Sequence, residues 1–150
     1  MKILSLNPGG NSLKAEVVEC HVGQRYAFEG RALLSVSIEG IGKASEISVL
    51  NNKKKVATEP ISAASYEEGT ASLLRWWESR ADLPQAPAMD AVAVRVVHGA
   101  RDFDRPALVD QLIIDKIEQF EKLAPLHNKS SVEVLAALRD RLPRVPIYAI

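Results

Sequence analysis

Ile3-Leu4-Ser5-Leu6-Asn7-Pro8-Gly9-Gly10-Asn11-Ser12-Leu13-Lys14 decides how the rest of the chain reads. Ile3 to Leu6 is a short apolar run, as in a buried strand. Pro8-Gly9-Gly10-Asn11 reads as a turn, because glycines permit positive φ and close backbone approach. From Lys14 to Val22, Ala15 and Val17 alternate with Glu16 and Glu19, the pattern of a half-buried strand. A glycine turn between two strands exposes N–H groups that can cradle a phosphate. Asn7 and Ser12 can add side-chain donors or hold a metal-bound water, and Lys14 adds a point charge. The same residues also describe a plain hairpin turn. They lack the Gly-Lys-Ser/Thr ending of a Walker loop, and no helix follows.

Downstream, Tyr26 to Ile41 holds one or two strands, broken by Gly30, Gly40 and Gly42. Glu46 to Leu50 and Val56 to Ile61 flank Asn51-Asn52-Lys53 as a hairpin. The first third is therefore a β meander. Ser65-Tyr66-Glu67-Glu68 has the Ser-x-x-Glu form of a capping box. Tyr66, Thr70, Leu73, Leu74 and Trp77 follow at helical spacing, and Arg80-Ala81-Asp82, Pro84 and Pro87 end that helix. Ala91 to Val97 is nearly continuously apolar, as in a strand covered on both faces. Asp110 is read as the N-cap of a second helix with Ile113, Ile114, Ile117 and Phe120 inward, stopped by Leu123-Ala124-Pro125. Asn128 is read as the N-cap of a third helix, with Val132, Leu135, Leu138 and Leu142 as its stripe. Pro143 breaks it, and Val145 to Ile150 begins another buried strand. A meander followed by α-β-α-α-β predicts a mixed sheet with helices packed on it.

Arg95 falls inside the apolar run. A guanidinium there needs either an internal carboxylate or a nearby cavity. In the second case its fork suits carboxylate or phosphate oxygens. His98 and His127 lie at the ends of elements, where a histidine is structural or catalytic. His127 immediately precedes the expected N-terminus of the third helix, where free N–H groups and the dipole favour an anion. His21, His98 and His127 have no zinc-like spacing. Cys20 has no partner for an internal disulfide and reads as packing.

The 150 residues fit one domain, 1–150. Lys plus Arg and Asp plus Glu are 19 each, so net charge is zero, which argues against a nucleic-acid binder. Lys53-Lys54-Lys55 reads as a solvated hairpin. No apolar run approaches the ~18 residues of a membrane span, and Met1-Lys2 leads straight into a strand without a leader pattern. A cytoplasmic setting is the expectation. The chain stops inside an apolar strand, which reads as a truncation, an isolated domain or an incomplete reading frame.

Three elements in order, the Asn7 to Lys14 loop, Arg95-Val96-Val97-His98-Gly99 and Leu123-Ala124-Pro125-Leu126-His127-Asn128, resemble the amino-terminal half of the acetate, propionate and butyrate kinases. Those enzymes carry an Asn-x-Gly-Ser-Ser-Ser-x-Lys loop, an Arg-Val-Val-His-Gly-Gly element and a Leu-Ala-Pro-Leu-His-Asn element. The resemblance implies one lobe of the ribonuclease-H-like α/β fold of the acetate and sugar kinase, Hsp70 and actin superfamily, a mixed sheet with flanking helices and a βββαβαβα core. It implies ATP and Mg²⁺ as cofactors and acetate or a similar short-chain carboxylate as substrate. It also implies a carboxy-terminal lobe and allows a homodimer in a longer parent. By position, Asn7, Ser12 and Lys14 would handle the phosphate, with Asn7 toward Mg²⁺. Arg95 would grip the carboxylate, Val97 and Leu126 would line the acyl pocket, and His127 would support the transition state. Gly10 and Asn11 stand where the family loop has its first two serines. Ala93-Val94 replace Gly-His before the arginine, Ala100 replaces a glycine, and Lys129 replaces a proline. These departures keep a second reading open: a non-catalytic, divergent lobe that binds an acyl phosphate or a partner protein.

Overall fold

The computed structural model describes residues 1–22, 28–51, 54–81, 88–97, 105–120 and 125–150, with 125–127 described by their backbone. Five antiparallel strands come first: β1 (Lys2–Pro8), β2 (Ser12–Val22), β3 (Phe28–Glu39), β4 (Glu46–Asn51) and β5 (Lys54–Pro60). Then come α1 (Tyr66–Glu78), β6 (Ala91–Val94), β7 (Ala107–Leu108), α2 (Gln111–Gln119), α3 (Pro125–Arg141) and β8 (Ile147–Ala149). They form an eight-stranded sheet in the order β5-β4-β3-β2-β1-β6-β8-β7. β1 is antiparallel to β2 and parallel to β6, and β6 is parallel to β8. The expected meander and mixed sheet are present. The short edge strand β7, antiparallel to β8, has too little sequence to show a period.

Alternation sets which face is core. Leu4 and Leu6 of β1, Leu13, Ala15 and Val17 of β2, Val92 and Val94 of β6 and Ile147 of β8 share one buried cluster with residues of all three helices. α1 lays Leu73, Leu74 and Trp77 onto the antiparallel half; α3 meets β1, β6 and β8 and also packs on α1 and α2. Burying a Leu or Phe-sized side chain contributes about 1.5–3 kcal/mol, so this shared cluster is the main stabilising feature.

Ser65 caps α1, its Oγ accepting from Glu68 N–H at 3.1 Å. Glu68 reaches back one residue further than a standard box, accepting from Ala64 N–H at 2.9 Å and from the Ser62 hydroxyl. Those bonds, Ser62 first, hold its carboxyl below the ordinary carboxylate value. Asp110 caps α2 through Ile113 N–H at 2.8 Å.

Three expectations are corrected. Asn128 does not cap α3; the helix already begins at Pro125. Proline suits a first helical position because its missing N–H would be unsatisfied there anyway. Asn128 is instead fully buried, its amide donating to Ile117 O across to α2 at 3.4 Å. The apolar run from Ala91 is strand only to Val94, and its faces differ. Val92 and Val94 are buried under the helices, whereas Ala91 and Ala93 are half-buried on the other side. Finally, Gly9 and Gly10 are not among the positive-φ glycines, which are Gly40 and Gly42 in the β3–β4 connection. His98, Leu123 and Ala124 lie outside the described residues, as do the hairpin tip at Asn52-Lys53 and the prolines Pro84 and Pro87.

Candidate active site

The parallel strands β1 and β6 end side by side, and ligand sites in open α/β sheets form outside the carboxyl ends of such strands. Asn7 sits at the end of β1. Its antiparallel partner on β2 is Lys14, so both side chains rise on the face away from the helices. On the other side Arg95 N–H donates to Leu6 O at 2.9 Å, continuing the β1–β6 pairing. The Arg95 guanidinium reaches back to Asn7 Oδ1 at 3.4 Å. Asn7, Lys14 and Arg95, distant in sequence, thus stand together on one rim.

Arg95 is not a charge buried in a strand. It lies one residue past β6 and is exposed. Among the described residues no carboxylate holds it, and its guanidinium donates to the Asn7 amide oxygen. That leaves the guanidinium available to an anion. Its backbone is fixed instead: Ser131 Oγ of α3 donates to Arg95 O at 3.2 Å, and Val96 N–H donates to Ile150 O at 2.8 Å. Val97, 40% exposed, follows on the same connection.

The β1–β2 turn closes through Gly9 N–H donating to Ser12 O at 2.7 Å. A Cβ at Gly9 would come within 2.8 Å of Ser12 Oγ, whereas one at Gly10 would meet nothing within 4 Å. A side chain at Gly9 would make the Ser12 hydroxyl rotate away, whereas one at Gly10 would displace nothing among the described residues. Two residues beyond the expected set grip this turn: Tyr66 Oη donates to Gly9 O at 2.5 Å, and Ile41 N–H donates to Asn11 O at 3.0 Å. Burial pushes the Tyr66 phenol above its ordinary value; the Ser12 backbone N–H opposes this and Glu133 adds to it. The phenol therefore remains a donor at neutral pH.

Leu126 and His127 are in the first turn of α3 rather than before the helix. Ser131, one turn on, touches Arg95, so the start of α3 is on the Arg95 side of the rim. From the rim a groove of about 300 Å³ runs down the open face, lined by Ser5, Asn7, Lys14, Glu16, Ser35 and Leu50. Glu16 is engaged, accepting from the Ser35 hydroxyl at 2.8 Å. Among the described residues no three His, Cys, Asp or Glu side chains cluster as a metal site. Local spacing gave no sign of Tyr66, Ile41 and Ser131, since each contact depends on how the helices sit over the sheet.

The acetokinase family model matches residues 2–150. The acetate kinase of Sulfurovum sp. is 29% identical over 153 residues, covering 99% of this chain and 36% of the relative. That of Campylobacter hominis is 33% identical over 147 residues, covering 97% and 34%. The crystal structure of Porphyromonas gingivalis acetate kinase superposes with a TM-score of 0.82 at 22% identity, covering 99% of this chain and 36% of that one. The fold is thus that of one part of such a kinase, and the chain spans about a third of the length of these relatives. With a family match along nearly its whole length, and with loop, arginine and helix start placed on one rim, the chain belongs to the acetokinase family.

Proposed function

We propose that the chain is the amino-terminal lobe, residues 1–150, of an ATP-dependent acetate or short-chain carboxylate kinase that forms acetyl phosphate. The observation that carries this reading is the meeting of Asn7, Lys14 and Arg95 at the carboxyl ends of β1 and β6. The chemical difficulty is bringing an anionic carboxylate to an anionic phosphate, so catalysis is mostly positioning and charge neutralisation. Arg95 would hold the carboxylate through its fork, and Val97 and Leu126 would shelter the acyl tail. Lys14 would neutralise phosphate charge, with Asn7 and Ser12 orienting that end. His127, in the first turn of α3, would donate to a transferring oxygen. Mg²⁺ usually takes one or two carboxylates plus substrate phosphates. The neutral oxygens of Asn7 and Ser12 suit contact with its bound water, so the ion would arrive with the nucleotide. When bound it would spread charge away from the transferred phosphoryl group.

The second reading, a non-catalytic lobe that binds an acyl phosphate or a partner protein, is favoured by Gly10 and Asn11 in place of two serines. Two experiments test these readings, the first the anion site and the need for a second lobe, the second the competence of the loop. The 150-residue chain is assayed for acetyl phosphate formation from ATP, Mg²⁺ and acetate, and inorganic phosphate is titrated by NMR. The expected result is no turnover, with phosphate binding in the millimolar range (about −4 kcal/mol) at Gly10, Lys14 and Arg95. Turnover by this chain would overturn the need for a second lobe. Shifts confined to residues far from the rim would overturn the anion site. Gly10→Ser and Asn11→Ser, placed in a longer parent, should leave turnover similar if the loop is already competent. A rise from no activity to clear activity would instead mark the natural loop as non-catalytic.

A further inference from the structure

The turn from Gly9 to Ser12 is held from outside by one aromatic residue. Tyr66 is the first residue of α1, and its hydroxyl donates to Gly9 O across 57 positions of sequence. It is fixed at its other end: its backbone N–H, one of the orphan donors of a helix start, donates to Glu133 Oε2 of α3 at 2.9 Å. Its carbonyl accepts from Thr70 Oγ1 at 2.7 Å. α3 in turn supports Arg95 through Ser131. Tyr66 therefore joins the glycine turn to the helix that braces the arginine.

Geometry gives this tether a chemical consequence. The described peptide bonds are trans, so within each planar unit the N–H points opposite to the C=O. Tyr66 draws Gly9 O toward the helix layer. The Gly10 N–H, opposite to that carbonyl, is then aimed away from the Tyr66 hydroxyl. A Cβ at Gly10 would meet nothing within 4 Å among the described residues.

We propose that Tyr66 is a positioning residue for anion binding: its hydroxyl holds the Gly9–Gly10 peptide so that Gly10 N–H is presented to a phosphate. The proposal rests on the reading of this loop as a phosphate site given above. The test is ¹⁵N NMR on the 150-residue chain and on Tyr66→Phe, which keeps the ring packing and the backbone contact to Glu133. Backbone order of Gly9 to Asn11 is measured first, then the response to inorganic phosphate. In the natural chain the turn should be as ordered as β1 and β2, and Gly10 N–H should shift with phosphate. In Tyr66→Phe order should fall at Gly9 to Asn11, and phosphate affinity should drop about fivefold, as for one lost neutral hydrogen bond. The Ile41–Gly42 backbone should be unchanged. An equal phosphate response in both proteins overturns the role of Tyr66 and leaves the phosphate site standing. No response in the natural chain overturns the phosphate reading itself. A natural turn as mobile as a free peptide overturns the tether without any variant having to fold.

Discussion

The two halves of the sheet solve the same problem differently. On the antiparallel side, β2 to β5, the face away from the helices is covered by polar cross-strand pairs. Glu16 meets Ser35, Ser48 meets Thr58 at 2.9 Å, and Lys55 bridges Glu39 and Glu46 at 2.9 Å each. On the parallel side the same face carries Ala93 beside Tyr148 and Tyr148 beside Leu108 in register, with Ile3 beside Ala91. Tyr148 is 37% and Leu108 59% exposed. Antiparallel sheets commonly solvate one face, whereas parallel strands are usually covered on both. β1 belongs to both halves. At its carboxyl end one neighbour folds back as a hairpin and the other ends alongside it, and the rim of Asn7, Lys14 and Arg95 forms at that seam.

If the halves are one cooperative unit, damage to either should loosen both. Trp77, fully buried, anchors α1 over the antiparallel side. Trp77→Ala should cost about 3–5 kcal/mol, and hydrogen exchange should quicken at β8 and α3 as much as at β2 and β3. Quickening confined to the antiparallel side would divide the molecule at β1.

A smaller effect tests the cap of α1 over that same half. Ser65→Ala removes the acceptor for Glu68 N–H and should cost about 1 kcal/mol. Urea melts would show it as a lower midpoint with an unchanged slope; an unchanged midpoint would mean the cap contributes nothing.

The start of α1 should also respond to pH. The Glu68 carboxyl is held below its ordinary value by Ser62 and by Ala64 N–H. A lowered carboxylate contributes stability that is present above the unfolded value, near 4.5, and is lost as pH falls through the folded value. Acid titration should therefore loosen the first turn of α1 below about pH 4.5. Glu68→Gln should flatten that dependence, and an unchanged acid limb would remove Glu68 from the account.

The smallest expected stability change is at the seam. Arg95 is exposed and outside the strand, so Arg95→Ala should alter stability by no more than about 0.5 kcal/mol. Its phosphate response in the NMR titration should be lost. A large loss of stability would show that the guanidinium is structural after all.

Period and punctuation made much of the fold readable in advance. The alternation of β2, the stripe Leu73, Leu74 and Trp77, and the caps at Ser65 and Asp110 are local patterns, and each is present where it was expected. Asn128 misled because an asparagine after a proline looks like a cap. The proline in fact opened the helix, and the asparagine was drawn into the contact between α2 and α3. Arg95 misled because an apolar run does not say where pairing stops. β6 ends at Val94, where its pairing with Leu6 of β1 and with Ala149 of β8 stops.

The sequence by itself determined most of the elements and the caps of α1 and α2, because these depend on backbone preferences and on contacts a few residues apart. It also placed the chain beside its relatives through three short runs. Only the tertiary structure decided that β6 lies next to β1, which brings Arg95 to Asn7 across 88 positions. It alone set Tyr66 on Gly9 and Ser131 on Arg95. Those contacts follow from strand order and from how the helices settle on a shared core, and no local periodicity records either.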